Sequence, residues 1–324
     1  MRVHIQNGDS ASPFDVTPAQ WDAAAARSGR CGLGVTFADT RAGFADGLAE
    51  AELLVTAPGI LARLLPLPPN RLGTIFLLAA GLDRLAPFDW LPTGVAIWNN
   101  RGAHGDKTGE YAIMAILMLA TRLPNFIAAQ SDQKWKPIHT PVVRGLRLTV
   151  IGTGDLGSSA ARRARPFGIV ATGVRRTDRA HPDFDRIVTV AHLDSVIRET
   201  DILLIACPLT DATRNLIDSR RLRLLAKDAG VINIGRGAVL DQSALCDRLD
   251  SGDLAGAILD VTDPEPPPLG HRLWSTPRLL LTPHVSADDP HAYNHLSLDI
   301  LFDDLKRVEA GEPASNRVDL ARGY

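Results

Sequence analysis

One segment restricts the fold of this chain more than any other. Leu148-Thr149-Val150-Ile151 runs directly into Gly152-Thr153-Gly154-Asp155-Leu156-Gly157, and an Ala- and Arg-rich stretch follows. An apolar run closed by glycines and continued by helix formers reads as strand, turn and helix. In that context the G-x-G-x-x-G spacing gives each glycine a task. Gly152 permits the tight turn, Gly154 lets the backbone approach a pyrophosphate, and Gly157 lets helix and strand pack closely. Asp155 and Leu156 open the helix, whose N-terminal N–H groups face the anion. The competing reading is a glycine-rich connection that binds nothing.

A dinucleotide unit of this kind needs alternating strands and helices around it, and the chain supplies two such series. In the first, strands are expected at 3–5, 33–37, 53–55, 75–78 and 95–98, with helices at 18–27, 41–48 and 59–65. Thr17, Pro18 and Gln20 mark the start of the first helix with a capping box. In the second, strands are expected at 146–151, 169–174, 186–188, 202–206, 231–234, 257–261 and 279–282, with helices such as 156–167 and 243–249. Long helices at 108–123 and 291–310 flank this series. Alternation of this sort argues for parallel sheets covered on both faces. The expected fold is α/β, with two doubly wound parallel-sheet domains. A Rossmann cofactor domain at 101–291 is inserted into a flavodoxin-like substrate domain built from 1–100 and 292–324.

Composition narrows the function classes. A length of 324 residues suits two domains. The formal net charge of −2 leaves no positive surplus for a nucleic-acid backbone. The longest apolar run, 112–120, is far short of the roughly 20 residues that span a bilayer. The N-terminus turns polar too soon for a signal peptide. Cys31, Cys207 and Cys246 form neither a disulfide framework nor a metal knuckle. The expectation is a cytoplasmic protein without nucleic-acid or membrane partners.

The end of the second strand of the inserted series identifies the nucleotide. Chains that bind NAD usually carry an acid there, on the ribose 2′-hydroxyl. This chain reads Arg175-Arg176-Thr177. Arginine presents a donor fork to phosphate, so the expected cofactor is NADP, with NAD possible. A solvated basic turn with Asp178 on the ribose is the other reading.

Ligands of open parallel sheets bind beyond the carboxyl ends of the strands. Three polar residues fall there: Arg236 after 231–234, Glu265 in a proline-rigid loop after 257–261, and His284 after 279–282. A guanidinium holds a carboxylate and polarises the adjoining carbonyl. A histidine donates a proton to that carbonyl oxygen as hydride arrives. A carboxylate beside the histidine fixes its tautomer and favours its charged form.

These residues lie in three stretches: Asn233-Ile234-Gly235-Arg236-Gly237-Ala238-Val239-Leu240-Asp241, Asp260-Val261-Thr262-Asp263-Pro264-Glu265-Pro266, and Thr282-Pro283-His284-Val285-Ser286. In that order, after the glycine motif, they resemble the D-isomer-specific 2-hydroxyacid dehydrogenases. The likeness runs over nearly the whole chain and is strongest from about residue 72. It implies that Arg236 binds substrate, Glu265 is the carboxylate partner and His284 the acid/base. It implies further that Asp260 orients the nicotinamide carboxamide and that Cys207 and Pro208 line the adenosine side. Thr213, Ile234 and Ser286 are also implied cofactor contacts. Ala80 and Gly81 match a turn whose N–H groups hold the substrate carboxylate, with Thr56 nearby. Family members are commonly dimers with a substrate domain made from both chain ends.

Two departures stand out. Arg175-Arg176 replace the usual acid, as in the family's NADPH-using glyoxylate and hydroxypyruvate reductases. Gly105-Asp106-Lys107-Thr108-Gly109-Glu110-Tyr111 stands where relatives more often have Ala-Glu-His. Glu265 rather than Gln argues against formate as substrate. Trp274 either lines the substrate pocket or packs in the core. His291 and His295, four apart, lack a third ligand, so no metal is expected. Ile113 to Met118 reads as a buried helix face. The function expected is reduction of a small 2-keto acid to a D-2-hydroxy acid with NADPH, or the reverse. The alternatives are a dinucleotide-sensing corepressor, or a dehydrogenase of a sugar acid or inorganic substrate using the same triad.

Overall fold

A computed structural model describes residues 1–30 and 32–323; Cys31 and Tyr324, the last residue of the tail expected to complete the first domain, lie outside the described residues. The strands are β1 Arg2–Gln6, β2 Gly34–Ala38, β3 Leu53–Thr56, β4 Thr74–Leu77, β5 Ala96–Asn99, β6 Arg147–Ile151, β7 Val170–Arg175, β8 Arg186–Thr189, β9 Ile202–Ile205, β10 Gly230–Asn233, β11 Gly256–Leu259 and β12 Leu279–Leu281. The helices are α1 Pro18–Ser28, α2 Arg41–Leu48, α3 Pro58–Leu64, α4 Gly105–Ala120, α5 Leu123–Ser131, α6 Asp155–Ala164, α7 Leu193–Ile197, α8 Ser219–Leu222, α9 Gln242–Asp250 and α10 Tyr293–Glu309. They fall into two compact units, Met1–Ala103 with Asp289–Tyr324, and His104–Asp288.

In the first unit β1 to β5 form one parallel sheet in the order 2-1-3-4-5, the flavodoxin-like winding. Successive side chains of a strand point to opposite faces, and here both faces are covered. Leu53, Val55, Phe76 and Trp98 enter one core. Leu54, Ile75, Leu77 and Ile97 enter the other. Thr17 and Gln20 form the expected capping box of α1. Trp21 of α1 meets Phe302 of α10 with ring centroids 5.0 Å apart. The C-terminal helix therefore completes a core begun by the N-terminal strands, and Leu298 and Leu301 join it.

In the second unit all seven strands are parallel, in the order β12-β11-β10-β9-β6-β7-β8. This is the Rossmann winding extended by one strand, and its order reverses between β6 and β9. Ile151, Leu203, Ile205, Val231 and Leu259 face α7 and α9. Leu148, Val150, Leu204, Ile232 and Ile258 face α4 and α6. Each fully buried Leu or Ile contributes roughly 1.5–3 kcal/mol, so the sheet is a stiff platform for the loops at its carboxyl edge.

Three expectations change. The helix expected over 108–123 runs from Gly105 to Ala120, and a separate helix, Leu123–Ser131, leaves it at 65°. Arg122 between them is left-handed, φ 61°, and Pro124 has no amide to continue the ladder. The helix expected to reach 167 ends at Ala164, and Arg165–Phe167 tightens into a 3-10 turn closed by Gly168 at φ 72°. The run 113–118 is not wholly buried, because Met114 is exposed. The helices α7 and α8, of five and four residues, are too short for a 3.6-residue period to register in sequence. Among the described residues no single helix is long and apolar enough to cross a membrane.

Candidate active site

The carboxyl edge of the second sheet begins with the glycine turn. Gly152 has φ 97°, and a Cβ there would stand 2.8 Å from Cys207 Cα, so both its angle and its space exclude a side chain. A Cβ on Gly157 would overlap the Gly152 carbonyl oxygen and come within 2.9 Å of Val150 Cγ1. Gly154 differs: its φ of −77° suits any residue, yet a Cβ there would meet nothing within 4 Å. The room above Gly154 is left open by the protein. Gly154 also caps α6 without any side-chain hydrogen bond, so the first amides of the helix remain available to an anion. Asp155 turns toward α4, where a Cβ on Gly105 would lie 3.0 Å from its Oδ1. Leu156 is half-buried. An open cradle at an uncapped helix N-terminus fits a dinucleotide diphosphate.

The residues expected to face the nucleoside follow β7 and β9. Arg175 ends β7 half-buried, with Arg176 and Thr177 exposed beyond it. Cys207 follows β9, and a Cβ on Gly235 would stand 2.8 Å from its carbonyl oxygen. Its backbone thus wedges between two glycines, Gly152 and Gly235. Burial pushes the Cys207 thiol up to about 12, which removes it as a thiolate nucleophile. Thr213 Oγ1 donates to Pro208 O at 2.7 Å and accepts from Thr210 N at 2.8 Å, stapling this turn. Ile234 is buried just past β10.

Three loops then present the ionisable groups. Asn233, fully buried, holds the first: its Nδ2 donates to Arg236 O at 3.0 Å and its Oδ1 accepts from Gly235 N at 3.1 Å. Arg236 is half-buried, and its Nη1 donates to Gly235 O at 2.8 Å. Glu265 stands between Pro264 and Pro266. His284 Nδ1 lies 2.8 Å from Glu265 Oε1, with the imidazole side chain 41% exposed. A carboxylate only accepts, so Nδ1 carries a proton and Nε2 is the atom left to exchange one with a ligand.

His284 itself is left-handed, φ 56°, a conformation that costs of order 1–3 kcal/mol for a residue with a side chain. Asp260, only 1% exposed, braces it. Its carboxylate accepts from Thr282 Oγ1 at 2.6 Å and from Val285 N and Ser286 N at 2.9 Å. Most of its lone pairs are thus spent on the loop. Behind them Asp288 has its carboxyl raised by burial, opposed by the nearby His104 and His284 charges.

The second unit thus brings together Asp260, Glu265, His284 and Ser286 at one strand edge, with Arg236 and the glycine turn beyond neighbouring strands. Thr56, Ala80 and Gly81 belong to the first unit. Thr56 is fully buried and its hydroxyl donates to Gln6 O at 2.9 Å. Ala80 and Gly81 lie past the end of β4, where Ala80 O accepts from Asn99 Nδ2 at 3.2 Å. Trp274 is 56% exposed, so the core-packing alternative fails; its indole N–H donates to Pro268 O at 3.0 Å. Among the described residues no group of three or more His, Cys, Asp or Glu is placed to hold a metal ion. Sequence reading missed Asn233, Asp288 and Tyr111, whose hydroxyl lies 2.6 Å from Thr282 Oγ1. For Tyr111 the one signal was its place in a segment that departs from the usual pattern.

The sequence profile of the D-isomer specific 2-hydroxyacid dehydrogenase NAD binding domain matches residues 113–286. Glyoxylate/hydroxypyruvate reductase A of Salmonella choleraesuis is 30% identical over 261 residues, which cover 79% of this chain and 83% of that one. A D-isomer specific 2-hydroxyacid dehydrogenase of Xanthobacter autotrophicus Py2, solved with NADPH and MES, superposes with a TM-score of 0.82 at 29% identity, covering 99% of both chains. A family protein from Aeromonas salmonicida superposes with a TM-score of 0.84 at 25% identity, covering 98% of this chain and 99% of that one.

Proposed function

The chain belongs to the D-isomer-specific 2-hydroxyacid dehydrogenase family, and from that membership we propose that it reduces glyoxylate, hydroxypyruvate or a 2-keto acid of similar size with NADPH. It is an NAD(P)-dependent oxidoreductase of 2-keto and 2-hydroxy acids. The cofactor, when bound, supplies or accepts the hydride. The open cradle at Gly152, Gly154 and Gly157 would hold its diphosphate. Arg175, Arg176 and Thr177 would take the 2′-phosphate, Cys207, Pro208, Thr213 and Ile234 would line its flank, and Asp260 and Ser286 would face the nicotinamide carboxamide.

His284 gives a proton from Nε2 to the keto oxygen, or removes it in the reverse direction. Glu265 stabilises the imidazolium through Nδ1. Arg236 draws in the substrate carboxylate and polarises the carbonyl. The roles of Ala80, Gly81 and Trp274 in holding substrate rest on family resemblance, whereas the buried Thr56 commits its hydroxyl to Gln6 O. The observation that carries the reading is the His284–Glu265 pair at 2.8 Å, on the sheet edge that also bears the open glycine turn. The substrate class rests on the Salmonella relative's name together with the arginine pair.

The His104–Asp288 unit serves as the cofactor domain and the other as the substrate domain. The protein acts in the cytoplasm as a homodimer. Exposed Met114, Leu123, Ile127 and Trp135, on or just after α4 and α5, are apolar side chains that such an association would cover.

The test is NADPH and NADH consumption with a panel of 2-keto acids. Turnover of glyoxylate or hydroxypyruvate with a clear NADPH preference is expected. Preference for NADH refutes the arginine-pair reading. Turnover confined to large or branched keto acids refutes the substrate class.

A further inference from the structure

The proposed chemistry requires His284 to present Nε2 in one orientation, yet its backbone stands at φ 56°. A residue so placed persists only where its surroundings over-determine it. The His284 amide donates to the carbonyl oxygens of Asp260 and Thr282, at 2.9 and 3.0 Å. The next two amides and the Thr282 hydroxyl all donate to the Asp260 carboxylate. The Thr282 hydroxyl also lies 2.6 Å from Tyr111 Oη on α4.

The directions of these bonds are fixed. A carboxylate only accepts, so the single proton of Thr282 is committed to Asp260. Tyr111 must then be the donor to Thr282. Tyr111 is 7% exposed, and burial with the nearby Asp260 pushes its phenol up to about 12. It therefore keeps its proton, and stays a donor, at any neutral pH. The result is a one-way chain from α4 through Thr282 to Asp260, which in turn grips the backbone of His284 and of the two residues after it. The Tyr111 ring packs in the core that α4 shares with α6, and removing the hydroxyl alone leaves that packing in place.

We infer that Tyr111 is a positioning residue for His284, acting through Thr282 and Asp260 to keep the imidazole aligned with Glu265 and the substrate oxygen. This rests on His284 as the proton donor. Arg236 and Glu265 act on charge at the reacting centre, whereas Tyr111 acts on the placement of the loop that delivers the proton.

The experiment is steady-state reduction of the best keto acid of the panel, in H2O and D2O, for Tyr111→Phe, Thr282→Val, Thr282→Ser and the double variant Tyr111→Phe/Thr282→Val, with His284→Ala as reference. Rates are expressed per NADPH-binding site from fluorescence titration, so a poorly folded fraction does not imitate a slow enzyme. Tyr111→Phe is expected to lower kcat roughly 2–10-fold, the scale of one hydrogen bond. NADPH affinity and keto-acid KM stay within about twofold, and the solvent isotope effect rises because proton delivery has slowed. Thr282→Ser retains turnover, Thr282→Val loses it, and the double variant is no worse than Thr282→Val because the chain is already cut. Unchanged kcat and isotope effect in Tyr111→Phe overturn the inference, as do additive losses in the double variant. If Tyr111→Phe yields no NADPH-binding protein, equal losses in Thr282→Ser and Thr282→Val overturn it instead. Full turnover in His284→Ala defeats the reading of the site itself, a separate failure.

Discussion

Gly154→Ala isolates the cofactor cradle from the stability of the protein. The position has φ −77° and ψ −164°, which alanine adopts freely. A new Cβ would meet nothing within 4 Å, so no overpacking arises in the free protein. Gly→Ala at a compatible angle stabilises by about 0.4–1 kcal/mol through the unfolded chain. Alanine is a poorer N-cap than glycine, which takes back a similar amount. The melting temperature without ligand should therefore move by no more than about 2 °C.

Binding is another matter, because in the proposed cradle the methyl would occupy the space assigned to the diphosphate. Overpacking of this kind costs about 1–3 kcal/mol, a loss of roughly 5–150-fold in NADPH affinity. Gly157→Ala is the contrasting variant. Its Cβ overlaps Gly152 O and reaches within 2.9 Å of Val150 Cγ1, so α6 must shift away from β6 and both stability and affinity should fall. NADPH fluorescence titration and thermal unfolding of the ligand-free forms distinguish the two. If Gly154→Ala binds NADPH as wild type does, the space above Gly154 is not the diphosphate site.

Three further outcomes are expected. Arg175→Ala should weaken NADPH binding about 10-fold or more while leaving NADH affinity within twofold, since only the 2′-phosphate loses a partner; equal losses for both would contradict this. Glu265→Gln keeps an acceptor near His284 Nδ1 but removes its charge, and the difference between charge-assisted and neutral hydrogen bonds, about 1–2 kcal/mol, should appear as a roughly 5–30-fold fall in kcat with NADPH affinity intact. His4 is fully buried, its Nδ1 2.8 Å from Thr36 Oγ1 and its Nε2 3.2 Å from Gln6 Oε1, and desolvation lowers its pKa. The unfolded chain then binds the extra proton first, so this stabilisation is present above the ordinary value of about 6.5 and is lost as pH falls below it. Melting temperatures at pH 7.5 and 5.5 should diverge more for wild type than for His4→Gln.

Much of the architecture was legible because local signals agreed with the global fold. Parallel strands covered on both faces announce themselves as apolar runs, as at 53–55 and 202–206. The glycine motif fixed the polarity of the inserted sheet and hence the edge where Arg236, Glu265 and His284 were sought. What stayed hidden depends on geometry that sequence spacing does not carry. Pro124 marked the end of α4 in sequence, but the sharp turn into α5 lies in the left-handed Arg122, which sequence spacing does not show. Thr56 looked available beyond a strand, but its hydroxyl is turned to the neighbouring strand β1. Tyr111 and Thr282 are 171 positions apart, and only the packing of α4 beside the end of β12 makes them partners. The left-handed backbone of His284 leaves no mark in composition, since such strain sits where tertiary bonds impose it.

The division of the first unit between the two ends of the chain governs how the protein emerges from the ribosome. Strands β1 to β5 are made first, but the face they offer to Phe302, Leu298 and Leu301 is covered only after the whole of His104–Asp288 has been translated. At about 5–20 residues per second, that stretch takes on the order of ten seconds or more. The second unit is uninterrupted and has its full complement of strands before α10 appears. The nascent N-terminal third must therefore wait, with the part of the Trp98, Phe76 and Val55 core that α10 closes still open. Synthesis rate and access to chaperones consequently bear on this unit more than on the uninterrupted His104–Asp288 unit.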